Sequence, residues 1–193
     1  MNTNIGVYPI SANPPTLGHA DIMKRASSCF HQLYWVAAIN PDKKIDFPIS
    51  LQLEMMEEYV NHYKLKNVTV DSVKGSMVHY ATEKRAKFII RGIRNTNDLQ
   101  LEMDLSTAYR GINDSIETIC FMADSKLVMV SSNLVRQIAK VKESIEPYVL
   151  PSVAKKVEKH YKKAYACNES AKRSISAIST RHLRDFRGID RID

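Results

Sequence analysis

The chain has 193 residues, 44% of them apolar, enough for one domain with a sizeable core and a short appendage. No apolar run approaches the ~20 residues of a membrane span, and no basic flank with an apolar stretch behind it opens the chain, so neither a membrane anchor nor a secretory leader is expected. The net charge of +7 is concentrated in the tail: residues 153–193 hold 11 Lys/Arg against 5 Asp/Glu, and the remaining body holds 17 against 16.

In chain order, Ile5 to Pro9 is a short apolar run that stops at a turn and predicts a buried strand. Leu17 to His31 carries Ala20, Ile22, Met23, Ala26 and Phe30 at helical spacing. Cys29 lies there, far from Cys120 and Cys167; an odd count at such spacing predicts reduced thiols and a cytoplasmic protein rather than a disulfide or zinc framework. Leu33 to Ile39 is continuously apolar, as parallel strands buried on both faces tend to be. After a polar loop, Ser50 is placed to cap a helix that runs to about Tyr63. Val68 to Val73 alternates like a strand, Met77 to Lys84 reads as a short helix, and Phe88 to Ile93 is another apolar strand. Asp98 to Tyr109 predicts a helix with Leu99, Met103 and Leu105 inward. Ile116 to Ala123 is a fifth strand, Leu134 to Val141 a helix, and Pro151 to about Tyr165 a Lys-rich amphipathic helix.

Strand and helix alternate five times. The expected fold is therefore α/β, a five-stranded parallel sheet with right-handed crossovers and helices on both faces. Ligands of such sheets bind beyond the carboxyl ends of the strands, which directs attention to four polar turns. The first is S-A-N-P-P-T-L-G-H, residues 11–19, with Ser11, Asn13 and a Gly18-His19 pair. His19 falls in the first turn of a helix, where unpaired N–H groups and the positive dipole end attract anions. On spacing alone it is as readily an exposed histidine with a local hydrogen bond. The second turn is N-P-D-K-K. The third is R-G-I-R, whose Arg91 and Arg94 directly follow a buried strand and so call for an anionic partner. Asp98 and Glu102, one turn apart on the next helix, read either as a solvated acidic face or as ribose acceptors. The fourth is V-S-S-N-L-V-R, where Ser131, Ser132 or Asn133 would cap a helix and the run as a whole resembles an anion nest. Neither a P-loop nor a G-x-G-x-x-G fingerprint is present.

These segments carry a resemblance. T-L-G-H matches the T/H-x-G-H motif of the nucleotidylyltransferase superfamily. The N-terminal turn, P-D-K-K, R-G-I-R-N-T-N-D-L-Q-L-E-M and V-S-S-N-L-V-R also follow the order and spacing of the phosphopantetheine adenylyltransferase family, over about residues 4–163. The resemblance implies a Rossmann-like domain over 1–163, extended by a basic segment 164–193. It implies transfer of AMP from ATP to 4′-phosphopantetheine, giving dephospho-coenzyme A and pyrophosphate, with Mg2+ accompanying ATP. By the same resemblance His19 contacts the α-phosphate, Lys43 bridges the reacting phosphates, and Ser11 touches both substrates, with Ala12 beside it at the ATP site. Arg91 holds the acceptor phosphate and Met77 the pantetheine arm. Arg94 lies at the ATP phosphates, while Glu102 and the run Leu127, Val128, Met129, Val130, Ser131, Ser132 and Asn133 surround the adenosine and its phosphates. A homohexamer and feedback by coenzyme A are implied as well. The chain departs from the family pattern at Ile10, Ala12, Asn13, Leu127 and Asn133, where a glycine, an aromatic, an aspartate, an aromatic and a serine are usual.

Two other readings stay open on the sequence. One is adenylyl transfer to another phosphorylated acceptor such as nicotinamide mononucleotide, since N-P-P occurs in that branch too. The other is a degenerate nucleotide-binding protein whose basic tail grips nucleic acid, although that tail has few aromatics to stack on bases. In the tail, Ile175, Ile178, Leu183, Phe186 and Ile189 could line one helical stripe, but a frayed terminus is the default expectation.

Overall fold

The computed structural model describes residues 4–40 and 45–164. Lys43 and the tail beyond residue 164 lie outside the described residues, and with them the expected loop lysine and the possible docking helix. The elements run β1 (Ile5–Ile10), α1 (Leu17–Ser27), β2 (Gln32–Ile39), α2 (Ile49–His62), β3 (Val68–Lys74), α3 (Met77–Glu83), β4 (Phe88–Ile93), α4 (Thr96–Ile112), β5 (Glu117–Met122) and α5 (Ser132–Lys140). A further helix, α6, covers residues 151–164. All strand pairs are parallel and the order is β3-β2-β1-β4-β5. The alternation of apolar runs and 3.6-period stripes thus gives the expected doubly wound sheet.

Two apolar layers cover it. On one face Ile22, Met23, Trp35, Met55, Met56, Val135 and Val153 join α1, α2, α5 and α6. On the other, Val7, Val36, Ile89 and Ile116 pack against Met77, Val78 and Ala81 of α3. The central strand β1 is buried over five of its six residues, because both layers close over it. Its neighbours on the two sides are β2 and β4, so the strand order reverses beside β1. That reversal opens a crevice at the carboxyl ends of β1 and β4. Among the described residues no helix is long and apolar enough to cross a membrane.

Several local expectations are corrected. The helix expected to begin at Ser50 begins at Ile49 with Pro48 at the N-cap, φ −53°, so Ser50 lies inside the first turn and caps nothing. Proline fixes its own φ near the helical value and lacks the N–H that a first turn leaves unpaired, so it can launch the helix without a polar cap. Helix α1 ends at Ser27, not His31: Ser27 Oγ donates to Lys24 O, and the His31 N–H has left the helix to bond Asn4 O beside β1. Helix α5 starts at Ser132, two residues before the expected Leu134, with Ser131 as its cap, Oγ accepting from the Leu134 N–H at 3.2 Å.

The largest departure is α4. Its expected inward residues Leu99 and Met103 are 38% and 57% exposed, and the only buried residue of the helix is Glu102. An ion pair, rather than an apolar stripe, docks this helix to the sheet.

Candidate active site

The first turn contains Pro14 and Pro15, which have no N–H, and Ala12 at φ +47°, so it cannot satisfy itself with regular backbone bonds. The surrounding helices do it instead. Arg136 Nη1 donates to Asn13 O, Ser132 Oγ to Pro14 O at 2.7 Å, and Tyr59 Oη to Pro15 O at 3.3 Å. Three successive carbonyls are thereby held by side chains of α5 and α2. Asn13 Oδ1 in turn accepts from the Asp46 and Phe47 N–H groups at 3.2 and 3.3 Å, tying residues 46 and 47 to the same turn. Asp46 completes the clasp: Lys140 Nζ is 2.7 Å from its carboxylate and Tyr161 Oη donates to it at 2.8 Å.

The turn delivers His19 as the third residue of α1. Its Nδ1 accepts the backbone N–H of the N-cap residue Thr16 at 3.1 Å, with Thr16 Oγ1 3.0 Å away. A nitrogen that accepts an N–H carries no proton, so the neutral ring holds its hydrogen on Nε2 and presents it as a donor. Burial first, and then the nearby Arg94 charge, push the imidazole pKa down to about 4. A histidine so depressed is uncharged at neutral pH. Its folded value lies below the ordinary one near 6.5, so stability it contributes is present above that pH and is lost as the pH falls toward 4. In long-range 1H–15N spectra His19 is expected as the Nε2–H tautomer at pH 7, with no titration down to about pH 5. A midpoint near the ordinary histidine value contradicts this geometry.

Facing it are the two arginines at the end of β4. Arg91 makes a side-on bidentate pair with Glu102, Nε–Oε2 and Nη2–Oε1 both 2.6 Å. Glu102 is 7% and Arg91 22% exposed in its side chain, so each charge requires the other. The pair leaves Nη1 of Arg91 for a ligand. Arg94 pairs with Asp98, Nε–Oδ2 at 2.9 Å, and Asp98 is fixed by the Asn95 cap of α4. The arginine charge holds the Asp98 carboxyl below its ordinary range despite partial burial. The picture of Asp98 and Glu102 as a solvated acidic face is therefore replaced: both are arginine partners, and Glu102 has no oxygen free of Arg91.

All these groups open onto one cavity of about 580 Å3 at the carboxyl ends of β1, β2 and β4. His19 and Arg91, which belong to opposite layers of the sheet, share it. Also on its wall are Ser11, Arg94, Glu102, Leu127, Val130, Ser131, Ser132 and Asn133. The N-termini of α1 and α5 both face it, adding two sets of unpaired N–H groups. A Cβ on Gly18 would meet Val130 O at 3.5 Å and Leu127 O at 3.7 Å, so the glycine keeps the floor between α1 and the 127–130 loop open.

Four of the expected contacts are not on the wall. Ala12 is fully buried in the core, Val128 and Met129 stand off it with Met129 81% exposed, and Met77 packs in the α3 layer. Conversely, sequence reading passed over Arg136 and Tyr8, which do line the cavity. The signal for Arg136 was present: it lies one helical turn after Ser132, and a turn with two prolines needs outside donors. Among the described residues no group of three His, Cys, Asp or Glu side chains could hold a metal, and both cavity carboxylates are bound by arginines.

Comparison with known proteins gives a consistent result. The Cytidylyltransferase-like family model matches residues 7–138. A phosphopantetheine adenylyltransferase of Synechocystis sp. is 36% identical over 149 residues, covering 77% of this chain and 92% of that protein. Another from Caldanaerobacter subterraneus subsp. tengcongensis is 33% identical over 160 residues, 83% of this chain and 99% of the relative. Among solved structures, Plasmodium falciparum nicotinic acid mononucleotide adenylyltransferase complexed with NaAD superposes with a TM-score of 0.63 at 13% identity, covering 82% of this chain and 96% of that one. The latter likeness is one of fold.

Proposed function

Because the chain belongs to the Cytidylyltransferase-like family, and within it to the phosphopantetheine adenylyltransferases, we propose that its cavity transfers AMP from ATP to 4′-phosphopantetheine. The products are dephospho-coenzyme A and pyrophosphate, a step of coenzyme A biosynthesis. The observation that carries this reading is the convergence of a neutral histidine donor, two arginines and two helix N-termini on one cavity at the strand reversal.

The chemistry suits that equipment. An oxygen of the acceptor's phosphate bonds to the α-phosphorus of ATP, and the bond from that phosphorus to the bridging oxygen breaks, releasing pyrophosphate. The nucleophile is already anionic, since a phosphate monoester's second pKa is about 6, so no protein base is needed. The protein's work is to hold two polyanions in line, an effect worth about 7–11 kcal/mol of barrier, and to place donors where charge shifts. In this reading His19 Nε2–H and the α1 N-terminus address the α-phosphoryl oxygens. Arg94 and the 131–133 segment take the rest of ATP, and Arg91 Nη1 takes the acceptor phosphate. By the family resemblance Lys43 would bridge the reacting phosphates, and Ser11, which lies on the wall, would touch both substrates. Mg2+ would arrive on the ATP phosphates and offset their charge.

The same reading includes a cytoplasmic location and assembly into a homo-oligomer, the hexamer that the family resemblance implies. Cys29 and Cys120 are free and exposed, as suits a reducing compartment. Leu101, Met103 and Ile112 of α4 and Met122 of the edge strand are exposed apolar side chains, of the kind that partner copies would cover.

A panel of acceptors with ATP and Mg2+ tests the function. Pyrophosphate release is expected with 4′-phosphopantetheine and not with nicotinamide mononucleotide; the reverse preference overturns the assignment. Light scattering of the same preparation reads the assembly.

A further inference from the structure

Tyr8 projects from the central strand with 3% exposure and its side chain lines the cavity. Its hydroxyl has no hydrogen-bond partner among the described residues. Among the described residues Trp35 Nε1 is the one sealed side-chain polar atom without a partner, so the Tyr8 hydroxyl is not sealed off: it reaches the cavity, where a ligand can meet it. The surroundings show what kind of partner is wanted. Gly92 lies beneath the phenol: a Cβ there would fall 2.3 Å from Ile22 Cδ1 and 3.8 Å from the Tyr8 oxygen. Gly92 is thus bare enough to let Ile22 and Tyr8 lie against β4, and it brings the hydroxyl level with the segment between Arg91 and Arg94. Those two guanidinium groups and the Asp21 carboxylate are the charges the phenol feels. Burial outweighs the arginines and keeps the phenol protonated far above neutral pH, so at this position it is a constant O–H donor.

We propose that Tyr8 is a substrate-binding residue whose Oη donates a hydrogen bond to a phosphate oxygen of the bound substrate, in concert with Arg91 and Arg94. This rests on the adenylyl-transfer reading above. The ligand chemistry is a phosphate oxygen, and it has two sources in the cavity, the phosphates of ATP and the 4′-phosphate of the acceptor.

Tyr8→Phe removes only the hydroxyl and tests the proposal. Because that hydroxyl bonds no protein group among the described residues, the Tm without ligands is expected to be unchanged. A hydrogen bond to a charged group is lost in the complex, so kcat/KM is expected to fall roughly 10- to 100-fold. Calorimetric titration with each ligand separates the two sources. Weakened ATP binding assigns the bond to the nucleotide, and weakened 4′-phosphopantetheine binding with unchanged pantetheine binding assigns it to the acceptor phosphate. A folded Phe variant with wild-type affinities and kcat/KM overturns the inference, as does a Tm that drops along with activity, which marks an internal structural bond. Wild-type protein that binds neither ligand sinks the adenylyl-transfer reading and this inference together. Wild-type binding matched by the Phe variant sinks this inference alone.

Discussion

His19→Ala is expected to lower kcat by about 100- to 1000-fold, equivalent to about 2.7–4 kcal/mol, with a far smaller change in KM for either substrate. The reason is the tautomer. Thr16 occupies Nδ1, so the ring's hydrogen on Nε2 is fixed in direction before substrate arrives. A donor that needs no reorientation favours the transition state, whose phosphoryl charge differs from that of the ground state. His19→Gln offers an amide donor on a more flexible stem and is expected to recover only part of the rate. Steady-state kinetics at saturating ATP and acceptor check this. An alanine variant turning over at the wild-type rate removes His19 from the mechanism.

Arg91→Ala is expected to do two things at once. It raises KM for 4′-phosphopantetheine, because the guanidinium nitrogen that Glu102 leaves free, Nη1, is lost from the cavity wall. It also destabilises the fold by about 3–5 kcal/mol, because Glu102 remains buried as an unpaired carboxylate. The double variant Arg91→Ala with Glu102→Ala separates the effects. Removing the stranded charge is expected to restore much of the stability, read as Tm, while the acceptor KM stays high. If the single variant melts like wild type, the pair does not hold α4. If only ATP affinity falls in either variant, Arg91 serves the nucleotide and the substrate assignments exchange.

That ion pair also explains where sequence reading failed. The stripe Leu99, Met103 and Leu105 has helical periodicity, and periodicity predicts an apolar inward face. The outcome is decided instead by Arg91, a half-buried charge on β4 that draws Glu102 inward and leaves Leu99 and Met103 to the outside. Periodicity identifies a face but does not say which face another element demands. Ser50 failed for a related reason: a polar residue near a helix start is the usual cap, but Pro48 two residues earlier had already fixed the backbone. By contrast the position of His19 was legible, since a Gly-His pair opening a helix after an apolar strand has one place in an α/β sheet.

What the sequence determined alone was the succession of five strands and the helices between them, and hence a parallel sheet. Runs of apolar residues and 3.6-period stripes are local properties, and parallel pairing follows from their alternation. It also determined which turns lie at the ligand-binding rim, because all carboxyl ends of a parallel sheet point the same way. The tertiary structure alone decided which groups there are free to act. Nδ1 of His19 is taken by Thr16 and Nε2 is left, one edge of Arg91 is taken by Glu102 and another left, and the proline-rich turn stands because Arg136, Ser132 and Tyr59 reach its carbonyls from distant parts of the chain. A hydrogen bond consumes a specific lone pair or proton, and which of them remain is settled only when residues far apart in sequence are brought together.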